Sequence, residues 1–217
     1  LLPVFFVINQ PDLGTALLIF ISGLIVLFLS GMGRSYIISG FILALAAIPS
    51  LWLFVMRDYQ KQRVLTMFNP EQDKLGAGWN IIQSTTAIGS GGWYGKGWMN
   101  GTQSQLNFLP ESHTDFIIAV LAEEFGLVGV MVLNCLYLIL VGRCISISMN
   151  SESMFGRLLA ASIGLTLFVF VLVNLAMVSG VLPVVGAPLP FISYGGTAIV
   201  PLFAGFGILM CISNESK

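Results

Sequence analysis

Uninterrupted apolar runs decide the environment of this chain. Residues 13–32 carry no charge between Asp12 and Arg34, and residues 36–56 run apolar from Tyr36 to Met56. Residues 116–142, 158–180 and 190–213 supply three more runs. About 20 apolar residues suffice for a helix to cross a bilayer, so five spanning helices are expected. The opening residues, Leu1 to Ile8, read as the last turns of a further membrane helix whose beginning is missing. They lack the basic n-region and small-residue cleavage site of a signal peptide. The chain is thus expected to be a C-terminal fragment of a larger polytopic protein. The expected fold class is all-α: a polytopic integral membrane bundle of about five full spans plus one partial one, with one large extracytoplasmic loop.

Composition excludes the alternatives. The chain is 56% hydrophobic and 9% charged, whereas a soluble domain carries about 25% charge. A soluble enzyme and a disordered tail are ruled out. A net charge of −1 offers no basic face to nucleic acid. Cys135, Cys144 and Cys211 are odd in number, show no metal-ligand spacing, and read as small apolar side chains.

Short loops set the orientation. If the spans alternate, Arg34, Arg143, Arg157 and Lys217 fall on one side, while the loops 9–12 and 181–189 carry no Lys or Arg. The positive-inside rule assigns the first set to the cytoplasm and sends the long hydrophilic segment outward. The tight turn Gly33-Arg34-Ser35 predicts an antiparallel hairpin of the first two full spans. The chain divides into 1–56, the end of one helix plus two spans; 57–114, the outer loop with short interfacial helices; and 115–217, three spans.

The loop has its own texture. Residues 58–68 form a basic amphipathic segment suited to the headgroup level, and residues 79–88 a second short interfacial helix. The stretch GSGGWYGKGWMNG at 89–101 follows. Its glycines match neither GxGxxG, where Tyr94 stands in the third position, nor a P-loop, where Ser90 and Gly97 replace required residues. It reads as an interfacial turn or the wall of a lipid-facing cleft, with Lys96 as a phosphate contact.

The polar run LPESHTDFIIAVLAEE at 109–124 carries the strongest local signal. Pro110, Glu111, Ser112, His113, Thr114 and Asp115 crowd against a helix start. Thr114 or Asp115 can serve as N-cap. Alternatively, Asp115 is a partly desolvated carboxylate whose pKa rises, which makes it a better general base. Glu123 and Glu124 lie about 12–13 Å further along a continuous helix, about 80° and 180° around it from Asp115. Acids at such depth face a cavity or a partner; the first expectation is that one or both are protonated or bridge to another helix. Asp12 is expected to cap the first full span. Residues 180–197, rich in Pro and Gly, form either a kinked final helix or a cavity lined by Ser193 and Tyr194.

Seven ordered blocks resemble the SEDS family (shape, elongation, division and sporulation proteins). They are QPDLGT at 10–15, YQKQRV at 59–64, GAGWNIIQS at 76–84, GSGGWYGKGW at 89–98, GTQSQLNFLPESHTDFI at 101–117, LAEEFGLVG at 121–129 and LPVVGAPLPFISYGGT at 182–197. The Tyr-Gln-Lys-Gln-Arg and Gly-Thr-Gln-Ser-Gln-Leu runs resemble the elongation branch more than the division branch. The resemblance implies about ten membrane helices in the whole protein, with the end of the fifth and helices six to ten represented here. It implies a multi-pass protein of the bacterial cytoplasmic membrane, with its active site on the extracytoplasmic side.

The activity implied is that of a peptidoglycan glycosyltransferase that polymerises lipid II into β-1,4 glycan strands. The family's essential aspartate is matched by Asp115. An inverting displacement needs one carboxylate as base. The pyrophosphate leaving group needs positive charge, for which Arg63, Lys96 and His113 are candidates. Glu111 and Ser193 complete the candidate substrate-binding set. A divalent cation (Mg or Mn) is a further source of charge, although one carboxylate defines no metal site. The implied partners are a class B penicillin-binding protein transpeptidase and other elongation-complex proteins. A lipid II flippase is the alternative function, suited by Glu123, Glu124 and the broken final segment; a structural scaffold ranks below it.

Overall fold

The structure is a computed structural model that describes residues 2–10, 12–73, 76–105, 109 and 111–215. Pro11, Pro110 and Lys217, which entered the readings above, lie outside the described residues. Secondary structure among these residues is helical throughout: α1 Leu2–Asn9, α2 Leu13–Leu29, α3 Arg34–Ser50, α4 Asp58–Phe68, α5 Ala77–Gly91, α6 Thr102–Gln105, α7 Ile117–Asn150, α8 Met154–Val178 and α9 Gly196–Glu215. Four helices are long and apolar enough to cross a membrane, and α2 is a shorter apolar helix. The all-α, multi-span class is as expected.

The helices start where the sequence supplies caps. Asp12 caps α2: its carboxylate accepts from the Thr15 N–H at 3.0 Å and from the Thr15 hydroxyl. Ser153 caps α8 by accepting from the Gly156 N–H at 3.0 Å. Pro49 inside α3 removes a helical donor, and the end of that helix widens into a π segment at Leu51–Val55.

Three expectations need correction. The hairpin of α2 and α3 does not pack: α2 lies on α8, and none of the membrane-length window of α3 is buried. The final helix begins at Gly196 rather than 190, because residues 190–195 are held as irregular chain by Phe191, at φ 68°, and by the hydroxyl of Ser193. The third full span is longer than 116–142, and it is broken at Gly126, at φ 68° and ψ −165°. The depth reckoned for Glu123 and Glu124 from a continuous helix therefore does not apply. They sit at the end of a short segment, 117–125, ahead of a stretch from Leu127 to Asn150 that is about 36 Å long.

The break leaves main-chain groups without helical partners, and the glycine-rich loop replaces them. Lys96 N–H donates to the Glu123 carbonyl and Gly97 N–H to the Glu124 carbonyl, both at 2.9 Å. In return Leu127 N–H donates to the Gly92 carbonyl at 2.9 Å and Val128 N–H to that of Trp93 at 3.1 Å. The glycines permit this approach. A Cβ on Gly91 would lie 1.9 Å from the Ala122 carbonyl oxygen, and one on Gly95 2.1 Å from that of Glu124. The stretch is thus a splice in a helix, with Trp93, Tyr94 and Trp98 exposed around it.

The core lies beside this splice. Phe116, Ile118 and Ala119 meet Ala87 of α5, Tyr137 of α7, Val171, Met177 and Val178 of α8, and Leu189. One face of α5 packs on α7, so that helix is more than an interfacial lid.

Gly95 sits at φ 77° against the Glu124 carbonyl, whereas Gly89 has open space around its Cα. Gly95→Ala is expected to cost about 2 kcal/mol or more and Gly89→Ala to be neutral or slightly stabilising. Melting temperatures of the two variants in detergent check the contrast.

Candidate functional site

The site forms where the irregular loop 181–195 closes over the turn at 111–116. Three consecutive carbonyls of that turn are taken up by other elements. Tyr194 N–H donates to the His113 carbonyl at 2.9 Å. The Ser193 hydroxyl donates to the Thr114 carbonyl at 2.5 Å and accepts from the Leu189 N–H at 2.7 Å. The side-chain amide of Asn174, near the C-terminal end of α8, donates to the Asp115 carbonyl at 2.9 Å and to that of Ala187 at 2.6 Å. From beneath, the Tyr137 hydroxyl donates to the Pro190 carbonyl.

This bonding leaves the Asp115 carboxylate free. The residue before α7 is Phe116, with no side-chain cap, so neither Thr114 nor Asp115 caps the helix. Asp115 is half-buried, and its carboxylate accepts no hydrogen bond among the described residues. Burial pushes its pKa above the ordinary 3.8, and the like charge of Glu111 pushes in the same direction. Its Oδ2 stands 3.5 Å from where a Cβ on Gly186 would lie, so it faces the middle of the loop.

The two ends of that loop line two hollows. Phe191, Ile192, Ser193 and Tyr194 line a cavity of about 620 Å³ together with His113, Ile117 and Ile199. Pro183, Val184 and Val185 line a small cleft with Tyr59, Gln60 and Arg63 of α4 and Gly14 of α2. The contact at Gly14 is close, since a Cβ there would meet Val185 Cγ1 at 2.1 Å.

The expected site residues therefore separate. His113 is exposed on the cavity, and Glu111 is exposed at the start of the turn. Arg63 reaches the loop, donating to the Val184 carbonyl at 3.3 Å. Ser193 is present but its hydroxyl is used by backbone, which makes it a clip between loop and turn. Lys96 is not among the residues lining the cavity; its ammonium donates to Glu123 Oε1 at 2.7 Å and to the Thr102 hydroxyl at 3.0 Å. Glu123 bridges to Lys96 of the glycine-rich loop and to the first turn of α6. Groups of three or more metal-ligating side chains are absent among the described residues. Asn174 and Tyr137 were missed, although Asn174 left a signal: a polar amide in the middle of an apolar run needs a partner.

The description of FtsW, RodA and SpoVE cell cycle proteins matches residues 1–217. The chain belongs to this family. The peptidoglycan glycosyltransferase MrdB of Escherichia coli K12 is 56% identical over 216 residues, covering 100% of this chain and 58% of that protein. The probable peptidoglycan glycosyltransferase FtsW of Trichlorobacter lovleyi is 40% identical over 210 residues, covering 97% and 54%. The chain therefore spans just over half the length of these relatives. A solved structure described as coordinating polymerization and crosslinking in a peptidoglycan synthase complex superposes at a TM-score of 0.80, with 31% identity over 98% of this chain and 59% of that one. A mutant of the Thermus thermophilus rod shape determining protein RodA superposes at 0.63, with 26% identity over 99% and 54%. Like these family members, the chain is a multi-pass membrane protein, and it resembles the RodA branch.

Ser193→Ala is expected to leave the Thr114 carbonyl and the Leu189 N–H unsatisfied, at a cost of about 1–3 kcal/mol. Hydrogen exchange across 189–195 checks this, with faster exchange expected in the variant.

Proposed function

We propose that the full-length protein is a peptidoglycan glycosyltransferase, polymerising lipid II on the outer face of the bacterial cytoplasmic membrane during cell elongation, with Asp115 as its general base. One observation carries this reading: a half-buried carboxylate with a raised pKa and no hydrogen-bond partner among the described residues, at the start of a helix it does not cap. The names of the relatives support the reaction class.

The chemistry follows from the bond made. Lipid II holds its sugar in an α link to undecaprenyl pyrophosphate, and the product link is β. The 4-hydroxyl oxygen of the acceptor GlcNAc attacks the anomeric carbon from the face opposite the pyrophosphate. Asp115 takes the hydroxyl proton as the new C–O bond forms. The old C–O bond breaks, and its electron pair leaves with the pyrophosphate. Arg63 and His113 are the positive or proton-bearing groups nearest the loop that faces Asp115, and they stabilise that departing charge. Glu111 keeps Asp115 basic and borders the same turn. A divalent cation at Asp115 and Glu111 would find only two carboxylates among the described residues, too few for a site of their own, so no step is routed through one.

A class B penicillin-binding protein is the proposed partner. A solved structure that this chain resembles is described as the coordination of polymerization and crosslinking by a peptidoglycan synthase complex, which supports such a partner. The flippase reading loses its main support, since Glu123 is engaged within the fold and lines no path among the described cavities.

The test is full-length protein incubated with lipid II in detergent, with glycan products resolved on a gel. Wild type is expected to make polymer and folded Asp115→Asn none. Polymer from both would remove Asp115 as the base, and polymer from neither would favour transport. The rate is expected to rise with pH through the raised pKa of Asp115, because the base must be ionised. Glu111→Gln removes a like charge and is expected to move the acid limb to lower pH, read from the pH–rate profile.

A further inference from the structure

The ion pair between Lys96 and Glu123 has no part in the chemistry above, yet it is the most heavily bonded side-chain group in the fold. The Glu123 side chain is fully buried, and the Lys96 side chain is 30% exposed. Glu123 Oε1 accepts from Lys96 at 2.7 Å, from the Thr102 N–H at 2.8 Å, from the Thr102 hydroxyl at 2.9 Å and from the Gln103 N–H at 3.2 Å. Oε2 accepts from the Gln103 N–H at 3.1 Å. One carboxylate thus ties the middle of the glycine-rich loop, at Lys96, to the first turn of α6 that follows the loop.

The location of this knot matters more than its strength. Glu123 lies in the short segment 117–125, and Asp115 lies two residues before that segment, roughly two helical turns from Glu123. The segment joins the rest of α7 only through Gly126, whose backbone allows many angles. At that joint the helical hydrogen bonds are replaced by the four loop bonds, two of them from Lys96 and Gly97 to the carbonyls of Glu123 and Glu124. The angle of the segment is therefore set by where the loop sits, and the loop is held by Glu123.

We propose that Lys96 and Glu123 are positioning residues: their buried pair locks the loop onto the short segment and so holds the Asp115 carboxylate against Gly186 of the facing loop. Lys96 then acts through Glu123 and does not touch substrate. This rests on the glycosyltransferase reading for its kinetic readout, and on the fold alone for its structural one.

The experiment uses full-length protein with lipid II in detergent, comparing wild type with Lys96→Met, Lys96→Arg and the double variant Lys96→Met/Glu123→Gln. Lys96→Met is expected to lower kcat at least about tenfold while KM stays within about twofold. Lys96→Arg keeps the charge and restores most of kcat. Removing the cation alone leaves a buried, unpaired carboxylate. The double variant relieves that penalty, keeps its melting temperature near wild type, and still shows the fall in kcat. Hydrogen exchange at Phe116 and Ala119, which no substituted atom touches, is expected to quicken in the double variant and stay unchanged in Lys96→Arg. An unchanged kcat in the folded double variant overturns the proposal. A raised KM with kcat kept makes Lys96 a substrate contact and also overturns it. If wild type makes no polymer, the glycosyltransferase reading fails by itself, and exchange at 116–119 decides the positioning: unchanged rates overturn it.

Discussion

The break in α7 at Gly126 is the constraint on which the site depends. Breaking a membrane helix exposes carbonyls and N–H groups that lipid cannot satisfy. A second stretch of backbone must therefore come close enough to bond them, which requires glycine at the points of closest approach. The sequence from Gly91 to Gly97 meets that demand, reaching within hydrogen-bond distance of residues on both sides of the break. The reward is a short helical segment that can point away from the main axis of α7 and carry a polar turn at its start.

Three acids near this region meet different fates through their surroundings. Asp12 spends its carboxylate on the N-terminus of α2. Glu123 is saturated by an ammonium, a hydroxyl and two main-chain donors. Asp115 receives none of these from the described residues, and the turn that carries it is held through its carbonyls instead. Asn174, Ser193 and the Tyr194 N–H supply the donors, so the backbone is fixed while the side chain stays available. An unpartnered, half-buried carboxylate is costly to keep ionised, and that cost is what raises its basicity.

Much of the fold was legible because bilayer thickness imposes a length on apolar runs. α8 and the first full span were recognisable from hydropathy, and Asp12 from its cap position. The final helix was placed too early because residues 190–195 are as apolar as a helix; only the backbone at Phe191 and the hydroxyl of Ser193 reveal the loop. The glycine-rich stretch read as an interfacial turn or a cleft wall; its role as a splice was invisible, since Gly126 is one glycine in an otherwise helical run. Lys96 was legible as a cation in an exposed loop, whereas the buried acid it pairs with, 27 positions later, was not. Asp115 was legible as a carboxylate at a boundary, whereas its lack of partners depends on Asn174, Ser193 and Tyr194, all far along the chain.

The account turns on the ionisation of Asp115, and that can be measured without any turnover. The carboxyl stretch of the full-length protein in detergent would be titrated by infrared spectroscopy, and the Asp115→Asn titration subtracted to isolate the single group. The account predicts a difference band with a midpoint above the ordinary aspartate value of 3.8. A midpoint at or below that value would mean that the carboxylate is hydrogen-bonded or paired in the native protein, and would contradict its role as a free, desolvated base.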